Sequence, residues 1–165
     1  MTALDIELAV AEHIGIRQHL IVPNVSWGLG LAHECDLLYV TKSGYAHEVE
    51  IKVSRSDLLR DQKKRKYRDS FRECHYHECL VRSLTFAIPA EMEASIPDIP
   101  EYAGVLLVEP HPRWKRLVCR EVRKAVPYRD ARKLSDEERF DLARLGTMRI
   151  WGLKRKLKAK ETTDD

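Results

Sequence analysis

The feature that most constrains the fold of this chain is a strand–turn–strand–helix pattern between Glu34 and Asp61. Residues 36–41 predict one β-strand, and residues 45–53, in which side chains alternate in polarity, predict a second. Lys42, Ser43 and Gly44 separate the two strands, and glycine suits a turn position with positive φ. The sequence Ser-x-x-Asp that begins at Ser54 then predicts a helix. The rest of the chain has to be built around this hairpin and its helix.

The predicted hairpin brings charged side chains together on one face. In the second strand, Glu48, Glu50 and Lys52 point to the same side because side chains alternate along a strand. If the turn is centred on Ser43, the numbers of paired residues sum to 86, so Asp36 lies opposite Glu50. Side chains paired in this way have Cβ atoms about 4.5–5.5 Å apart. Two carboxylates that close repel each other, which raises the pKa of one of them unless a cation holds both.

This arrangement predicts a site for a hard divalent cation, because such ions prefer oxygen ligands. A lysine two residues after the second carboxylate can orient a water molecule or stabilise negative charge that develops on a phosphate. The residues therefore favour metal-dependent attack on a phosphodiester, with Mg²⁺ or Mn²⁺ as the cofactor. The alternative is a solvated hairpin face that carries an ordinary Glu–Lys pair.

The pattern Asp-x13-Glu-x-Lys on a hairpin followed by a helix resembles the PD-(D/E)XK nuclease superfamily. Within that superfamily, the segment EIKVSRSDLLRDQKKRKYRD is similar to the run EIKSS…DF..D.KW..YRD of the MmcB-like DNA repair nucleases. The similarity covers residues 34–70 and is only topological elsewhere. Two departures are Cys35, where the motif has proline, and an apparent insertion after the helix.

The resemblance implies an α/β domain with a restriction-endonuclease-like core, in the order α-β-β-β-α-β, whose central mixed sheet is flanked by helices. It implies that Asp36 and Glu50 bind the metal, with the backbone carbonyl of Ile51 as a third ligand. Lys52 would position the attacking water or stabilise the transition state. Removing any one of these groups is expected to lower the cleavage rate by orders of magnitude and to leave the fold intact.

The first segment, residues 3–20, has the apolar periodicity of a helix. Its apolar stripe consists of Leu4, Leu8, Ala11 and Ile14, widened by Ile6, Val10 and Ile16. In nucleases of this superfamily the first helix often supplies a glutamate to the metal site. The resemblance makes Glu7 the first candidate and Glu12 the second, although either residue is equally interpretable as a surface acid.

Two basic segments indicate a polyanionic partner, and DNA is the obvious one. Residues 55–72 hold eight Lys and Arg against three Asp, and residues 149–160 hold six Lys and Arg and no acid. A solvated helical face would carry the same charges. On the helix that begins near Ser54 and is expected to reach about Glu73, the candidate substrate contacts are Gln62, Lys63, Lys64 and Tyr67.

A second cluster favours a different function. Zinc-ligand residue types lie within a six-residue segment and further along the chain: Cys74, His75, His77, Cys79, His111 and Cys119. The spacing Cys-x4-Cys is looser than the usual Cys-x2-Cys of zinc sites. A zinc-stabilised nucleic-acid-binding module stays open as an alternative, as does a non-catalytic DNA-binding protein that retains the nuclease fold.

The second half of the chain predicts a buried strand at 84–89, a helix or loop over 90–102, a hairpin over 104–122 and a last helix that opens at Ser135. The expected apolar side of that helix is Phe140, Leu142, Ala143, Leu145, Met148, Ile150, Trp151 and Leu153. The basic and polar residues 154–165 are expected to fray.

With 165 residues, the chain is expected to form one domain over 1–153, followed by the polar tail 154–165. No apolar run approaches the ~18 residues needed to cross a membrane, and the first residues lack the basic segment of a signal peptide. The expected location is therefore the cytoplasm, with DNA as the partner. The resemblance leaves a homodimer open, because many nucleases of this superfamily cut duplexes as dimers.

Overall fold

The computed structural model describes residues 1–26, 29, 31, 34–62 and 80–161. The helices are α1 Ala3–Ile14, α2 Arg55–Gln62, a 3₁₀ helix Ala90–Asp98 and α3 Asp136–Glu161. The strands are β1 Leu20–Val25, β2 Cys35–Val40, β3 Ala46–Ile51, β4 Val81–Pro89, β5 Gly104–Pro110 and β6 Leu117–Arg123. The protein is an α/β domain in which helices flank one mixed sheet.

The six strands lie in the sheet in chain order, from β1 at one edge to β6 at the other. The pairs β1–β2, β2–β3 and β5–β6 are antiparallel, and β3–β4 and β4–β5 are parallel. The carboxyl ends of β3, β4 and β5 therefore meet at the same end of the sheet. This end carries the charged residues described below.

The register of the β2–β3 hairpin confirms the sequence prediction. Leu37 pairs with Val49 and Val40 pairs with Ala46, so the paired numbers sum to 86. The turn closes with a bond from the Gly44 N–H to the Thr41 carbonyl, and Gly44 has a φ of 90°. Only glycine adopts that conformation without strain. Continuing the register by one pair sets Asp36 opposite Glu50.

Helix α1 is shorter than predicted. It begins with a capping box between Thr2 and Asp5 and ends where Gly15 takes a φ of 99° and closes the helix onto the Ala11 carbonyl. Residues from Leu20 onward form β1 instead. Pro23 lies within β1, which tolerates it because β1 is an edge strand.

The core has a layer on each face of the sheet. On one face, Ile6 and Val10 of α1 pack against Leu37, Val49 and Ile51. The other face is covered by the remaining helices. There Leu142 and Leu145 of α3 pack on β1 and β2, and Leu58 of α2 packs on the cluster of Leu84, Phe86 and Ile88. The predicted stripe on α1 is partly wrong, because Leu4 and Leu8 are exposed.

The second half of the chain follows the predicted order, with corrections in α3. The β5–β6 hairpin and the buried strand β4 are confirmed. Of the eight residues expected on the apolar side of α3, only Leu142 and Leu145 are buried, and five large ones are exposed: Phe140, Met148, Ile150, Trp151 and Leu153. The expected fraying from Lys154 is also wrong, since α3 continues to Glu161. Among the described helices, none is both long and apolar enough to span a membrane.

Candidate active site

The candidate site lies where β2 begins and β3 ends. Asp36 is the second residue of β2, Glu50 is the penultimate residue of β3, and Lys52 follows β3 directly. The parallel neighbour β4 extends the hydrogen-bond ladder past the end of β3, because the Lys52 N–H donates to the Ala87 carbonyl at 3.1 Å. The backbone that carries all three side chains is thus held by strands on both sides.

The Lys52 ammonium lies between the two carboxylates. Its Nζ is 3.0 Å from Glu50 Oε2 and 3.8 Å from Asp36 Oδ2. Glu50 and Lys52 are only 2% and 4% exposed, whereas the Asp36 side chain is 38% exposed and opens the site to solvent. The sequence prediction that these three residues converge is confirmed by these distances.

Asp36 also holds the local backbone. Its Oδ2 accepts a hydrogen bond from the Ile51 N–H at 2.8 Å. A carboxylate that accepts from a backbone N–H and lies near an ammonium is favoured in its charged form. The ionised Asp36 therefore ties the start of β2 to the end of β3.

The burial of Lys52 changes one expectation. Removing one member of a buried ion pair leaves the other charge without compensation in a medium of low dielectric constant. Glu50 and Lys52 form such a pair, so replacing Lys52 should affect stability as well as chemistry. The expectation that each site residue can be removed without effect on the fold therefore extends to neither Glu50 nor Lys52.

Glu7 belongs to the same electrostatic cluster. Burial raises the pKa of its carboxyl above the ordinary value, and the negative charge of Asp36 raises it further. Glu7 therefore lies close enough to Asp36 for the charge of Asp36 to affect it. It belongs to α1, which packs on the face of the sheet that carries Leu37, Val49 and Ile51. Glu12, the second candidate, is exposed.

Asp36 and Glu50 are the carboxylates at this site that could hold a hard cation such as Mg²⁺. Within the described ranges, no group of three or more His, Cys, Asp or Glu is arranged to hold a metal ion. Mg²⁺ does not require such a cage, because it commonly binds through one or two carboxylates, several waters and substrate phosphates. Asp36 and Glu50 supply that number of carboxylates, and Ile51 lies between Glu50 and Lys52 in the chain. Glu7 does not join Asp36 and Glu50 in such a group.

Part of the predicted substrate surface lies outside the described residues, namely Lys63, Lys64 and Tyr67. Gln62 ends α2, and only its backbone is described. The start of this helix agrees with its predicted cap, because Ser54 Oγ accepts from the Asp57 N–H at 3.2 Å. The Arg55 guanidinium forms an ion pair with Asp98 at 2.7 Å, which connects α2 to the 3₁₀ helix.

The predicted zinc ligands Cys74, His75, His77 and Cys79 also lie outside the described residues. The two further candidates can be placed. The His111 ring nitrogen Nδ1 accepts hydrogen bonds from two backbone N–H groups of its own turn. Burial raises the pKa of the Cys119 thiol to about 12, which disfavours the thiolate that zinc needs. Neither residue has the surroundings of a zinc ligand.

Two further residues of β3 carry ionisable side chains. Glu48 is 1% exposed and shares a strand face with Glu50 and Lys52. The alternation Glu-x-Glu-x-Lys was the available signal, but it does not tell a buried acid from a solvated one. His47 stacks on Tyr39 and bonds Ser83 Oγ at 2.7 Å; burial lowers its pKa to about 4, so it is a neutral packing residue.

Comparisons with known proteins establish the fold and leave the function open. No family model matches the chain, and no curated protein matches it. Among solved structures, the chain is similar to the SPO1766 protein of unknown function from Silicibacter pomeroyi. The TM-score is 0.61 at 17% sequence identity, over 98% of this chain and 94% of that chain. At this identity the likeness shows a shared fold.

Proposed function

We propose that this chain is a metal-dependent nuclease of the PD-(D/E)XK type, close to the MmcB-like proteins, that hydrolyses DNA phosphodiester bonds in repair or processing. The observation that carries the proposal is the position of Lys52 Nζ, 3.0 Å from Glu50 and 3.8 Å from Asp36 at the end of β3. An ordinary solvated Glu–Lys pair would not be buried, and it would not include a carboxylate from the neighbouring strand.

The order of elements supports the same proposal. The chain runs α1-β1-β2-β3-α2-β4, which is the α-β-β-β-α-β order expected of a restriction-endonuclease-like core. The site lies at the carboxyl end of β3, next to two parallel strands, where open α/β sheets commonly bind their ligands. Of the candidate residues, Asp36 is the one exposed to solvent at this end of the sheet.

In the proposed mechanism each residue has a distinct task. Asp36 and Glu50 would hold Mg²⁺ or Mn²⁺, and Glu7 would add negative charge beside Asp36. When bound, the ion polarises the phosphate and makes a water molecule more acidic. Lys52 keeps its ammonium beside Glu50 and is placed to orient the attacking water or to stabilise the charge that develops on the phosphate. The bond from the Ile51 N–H fixes Asp36 for this role.

The test is cleavage of labelled duplex, branched and single-stranded DNA in Mg²⁺, Mn²⁺ or EDTA. Asp36→Asn and Glu50→Gln preserve shape and remove charge, and we expect them to lower the rate by at least about a hundredfold. Glu7→Gln should lower it less, and Glu12→Gln, the matched control on the same helix, should cleave normally. Cleavage by Glu50→Gln at the wild-type rate would overturn the proposal.

A second candidate function is a non-catalytic DNA-binding protein that retained the fold. It is favoured by the Lys52 ammonium, which lies within 3.8 Å of both carboxylates. Calorimetric titration with Mn²⁺ separates the two candidates. Binding that disappears in Asp36→Asn supports the nuclease, whereas salt-dependent DNA binding without Mn²⁺ binding or cleavage supports the second candidate.

A further inference from the structure

The tip of the β5–β6 hairpin, residues 111–116 (His-Pro-Arg-Trp-Lys-Arg), is a compact and strongly basic turn. The His111 N–H donates to the Arg116 carbonyl at 2.8 Å, and the Arg116 N–H donates to the Trp114 carbonyl at 2.7 Å. The Nδ1 atom of His111 accepts from the N–H groups of Arg113 and Trp114, both at 3.1 Å. These four bonds give the turn a defined shape although it projects from the sheet.

Trp114 organises the side chains of the tip. Its indole is 58% exposed, which is unusual for the largest apolar side chain. The His111 ring stacks on it at 4.2 Å between ring centroids, and the Arg116 guanidinium carbon lies 4.5 Å from the indole centroid. A guanidinium held against an aromatic ring loses less freedom when it binds a phosphate. The indole is therefore a platform for a cation.

The charge of the tip is uncompensated by the described part of the chain. Arg113, Lys115 and Arg116 are exposed, and none of them forms an ion pair with a described acid. No acidic residue occurs between Glu109 and Glu121. Three cations within four residues on a rigid projection suit a polyanion, because phosphate contacts dominate the affinity of proteins for nucleic acids.

The tip lies at the same end of the sheet as the candidate active site. Ile51 pairs with Ala87, and Ala87 pairs with Leu106 of β5, which places Leu106 level with the end of β3. At about 4.8 Å between strands and about 3.3 Å per residue, Pro110 stands about 10 Å to the side of that point and about 13 Å beyond it. The separation between the end of β3 and Pro110 is therefore about 15–20 Å, which is close to half a turn of duplex DNA, whose full turn is about 34–36 Å.

We propose that residues 111–116 bind the phosphate backbone of duplex DNA about half a helical turn from the phosphate at Asp36 and Glu50. This inference rests on the proposed function for the identity of the substrate. The His111 ring and the Arg116 guanidinium both lie against the indole of Trp114, so the indole is not offered to bases for stacking. The tip therefore contacts the charged backbone of the duplex. It positions the duplex and does not take part in the chemistry.

The test measures binding in EDTA, where no cleavage is needed. The dissociation constant of the full chain for a labelled 20-base-pair duplex is followed by fluorescence anisotropy over a range of KCl concentrations. We expect Arg113→Gln/Lys115→Gln/Arg116→Gln to weaken binding and to reduce the slope of log K against log salt by about two to three, close to one unit per lost contact. Trp114→Leu should give a smaller loss at unchanged charge.

The matched control is Lys42→Gln/Lys124→Gln/Arg129→Gln. It removes the same charge from three exposed residues at the opposite end of the sheet. Equal changes in slope for the two triple variants, or no change in the tip variant, would overturn the inference. Failure of the proposed function can be told apart from failure of this inference. If the salt dependence of wild-type binding in EDTA depends on the tip but the wild type does not cleave DNA in Mg²⁺, the binding site at the tip stands and the proposed nuclease activity is wrong.

Discussion

At the scale of single residues, Lys52 connects stability with the proposed chemistry. Its ammonium compensates Glu50, which is buried, and also lies near Asp36. Without it, two carboxylates face each other at the end of β3, and one of them is out of contact with water. The lysine therefore acts in the folded protein as a built-in counter-ion.

Lys52→Ala should accordingly destabilise the protein by about 3–5 kcal/mol, the usual cost of breaking a buried pair. Mg²⁺ or Mn²⁺ should restore part of this stability, since the ion then compensates the carboxylates that Lys52 no longer neutralises. The measurement is thermal or urea unfolding with and without metal, and exposed Lys42→Ala is the control. An equal effect of metal on the variant and on the wild type would contradict this picture.

At the scale of elements, the start of α3 depends on a small network. The Ser135 N–H donates to Glu138 Oε2 at 2.8 Å, and the Glu138 N–H donates to Ser135 Oγ at 3.1 Å, which is a reciprocal cap. Arg132 donates two further bonds to the same carboxylate, at 2.7 and 2.8 Å. The bonds from Arg132, followed by those from Ser135, lower the pKa of Glu138 to about 2, against the smaller opposing effect of burial.

Because the pKa of Glu138 is lower in the folded than in the unfolded chain, its contribution to stability is complete above about pH 4.5. That contribution is lost as the pH falls from 4.5 towards 2. We expect Glu138→Gln to reduce the free energy of unfolding by about 1–3 kcal/mol at pH 7, with a difference that shrinks to near zero at pH 2. Urea unfolding at several pH values checks this. Glu137→Gln, in the same turn, is the control and should show little effect.

The hairpin at the site was predictable because its constraints are local. Side chains alternate with a period of two, and Gly44 fixes the turn, so only one register of Asp36 and Glu50 is compatible with both. The end of α1 was not predictable from periodicity, because apolar residues continue past Gly15 into β1. Only the left-handed conformation of Gly15 marks the boundary.

Tertiary packing decided the features that the sequence left open. Whether Glu7 or Glu12 approaches Asp36 depends on how α1 lies on the sheet, and the sequence pattern fits both choices. Burial of Ile6 and Val10 selects the side of α1 that carries Glu7 inward and leaves Leu4 and Leu8 exposed. The burial of Glu48 and Lys52 likewise depends on α2 and β4, which are distant from the hairpin in the chain.

At the scale of the whole molecule, α3 carries an apolar stripe that the described part of the chain meets only at Gly146, beside Val22 of β1. Ala143, Gly146, Ile150, Leu153 and Leu157 recur at intervals of three and four residues, the spacing of helices that pair side by side. Of these, Ile150, Leu153 and Leu157 are more than half exposed. The first turns of α3 are acidic and its last turns are basic, so α3 is complementary in charge to an antiparallel copy of itself.

A single antiparallel register satisfies both the packing and the charges. With the two-fold axis at Met148, Ala143 of one copy faces Leu153 of the other, so that a small residue meets a large one. The same register sets Asp136 opposite Lys160, a pair of opposite charge on the stripe itself. A parallel pair would instead bring the basic ends of both helices together, and like charges at that distance repel.

We therefore expect the protein to form a homodimer through α3, measurable by sedimentation velocity or light scattering at micromolar concentration. Leu153→Glu should yield a monomer, because it places two charges in the apolar seam. Asp136→Lys should weaken the dimer, and adding Lys160→Asp should restore it, since the exchanged charges pair again across the axis. A merely apolar association would not show this rescue. A wild type that is monomeric under these conditions, or a double variant no better than Asp136→Lys, would contradict the antiparallel arrangement.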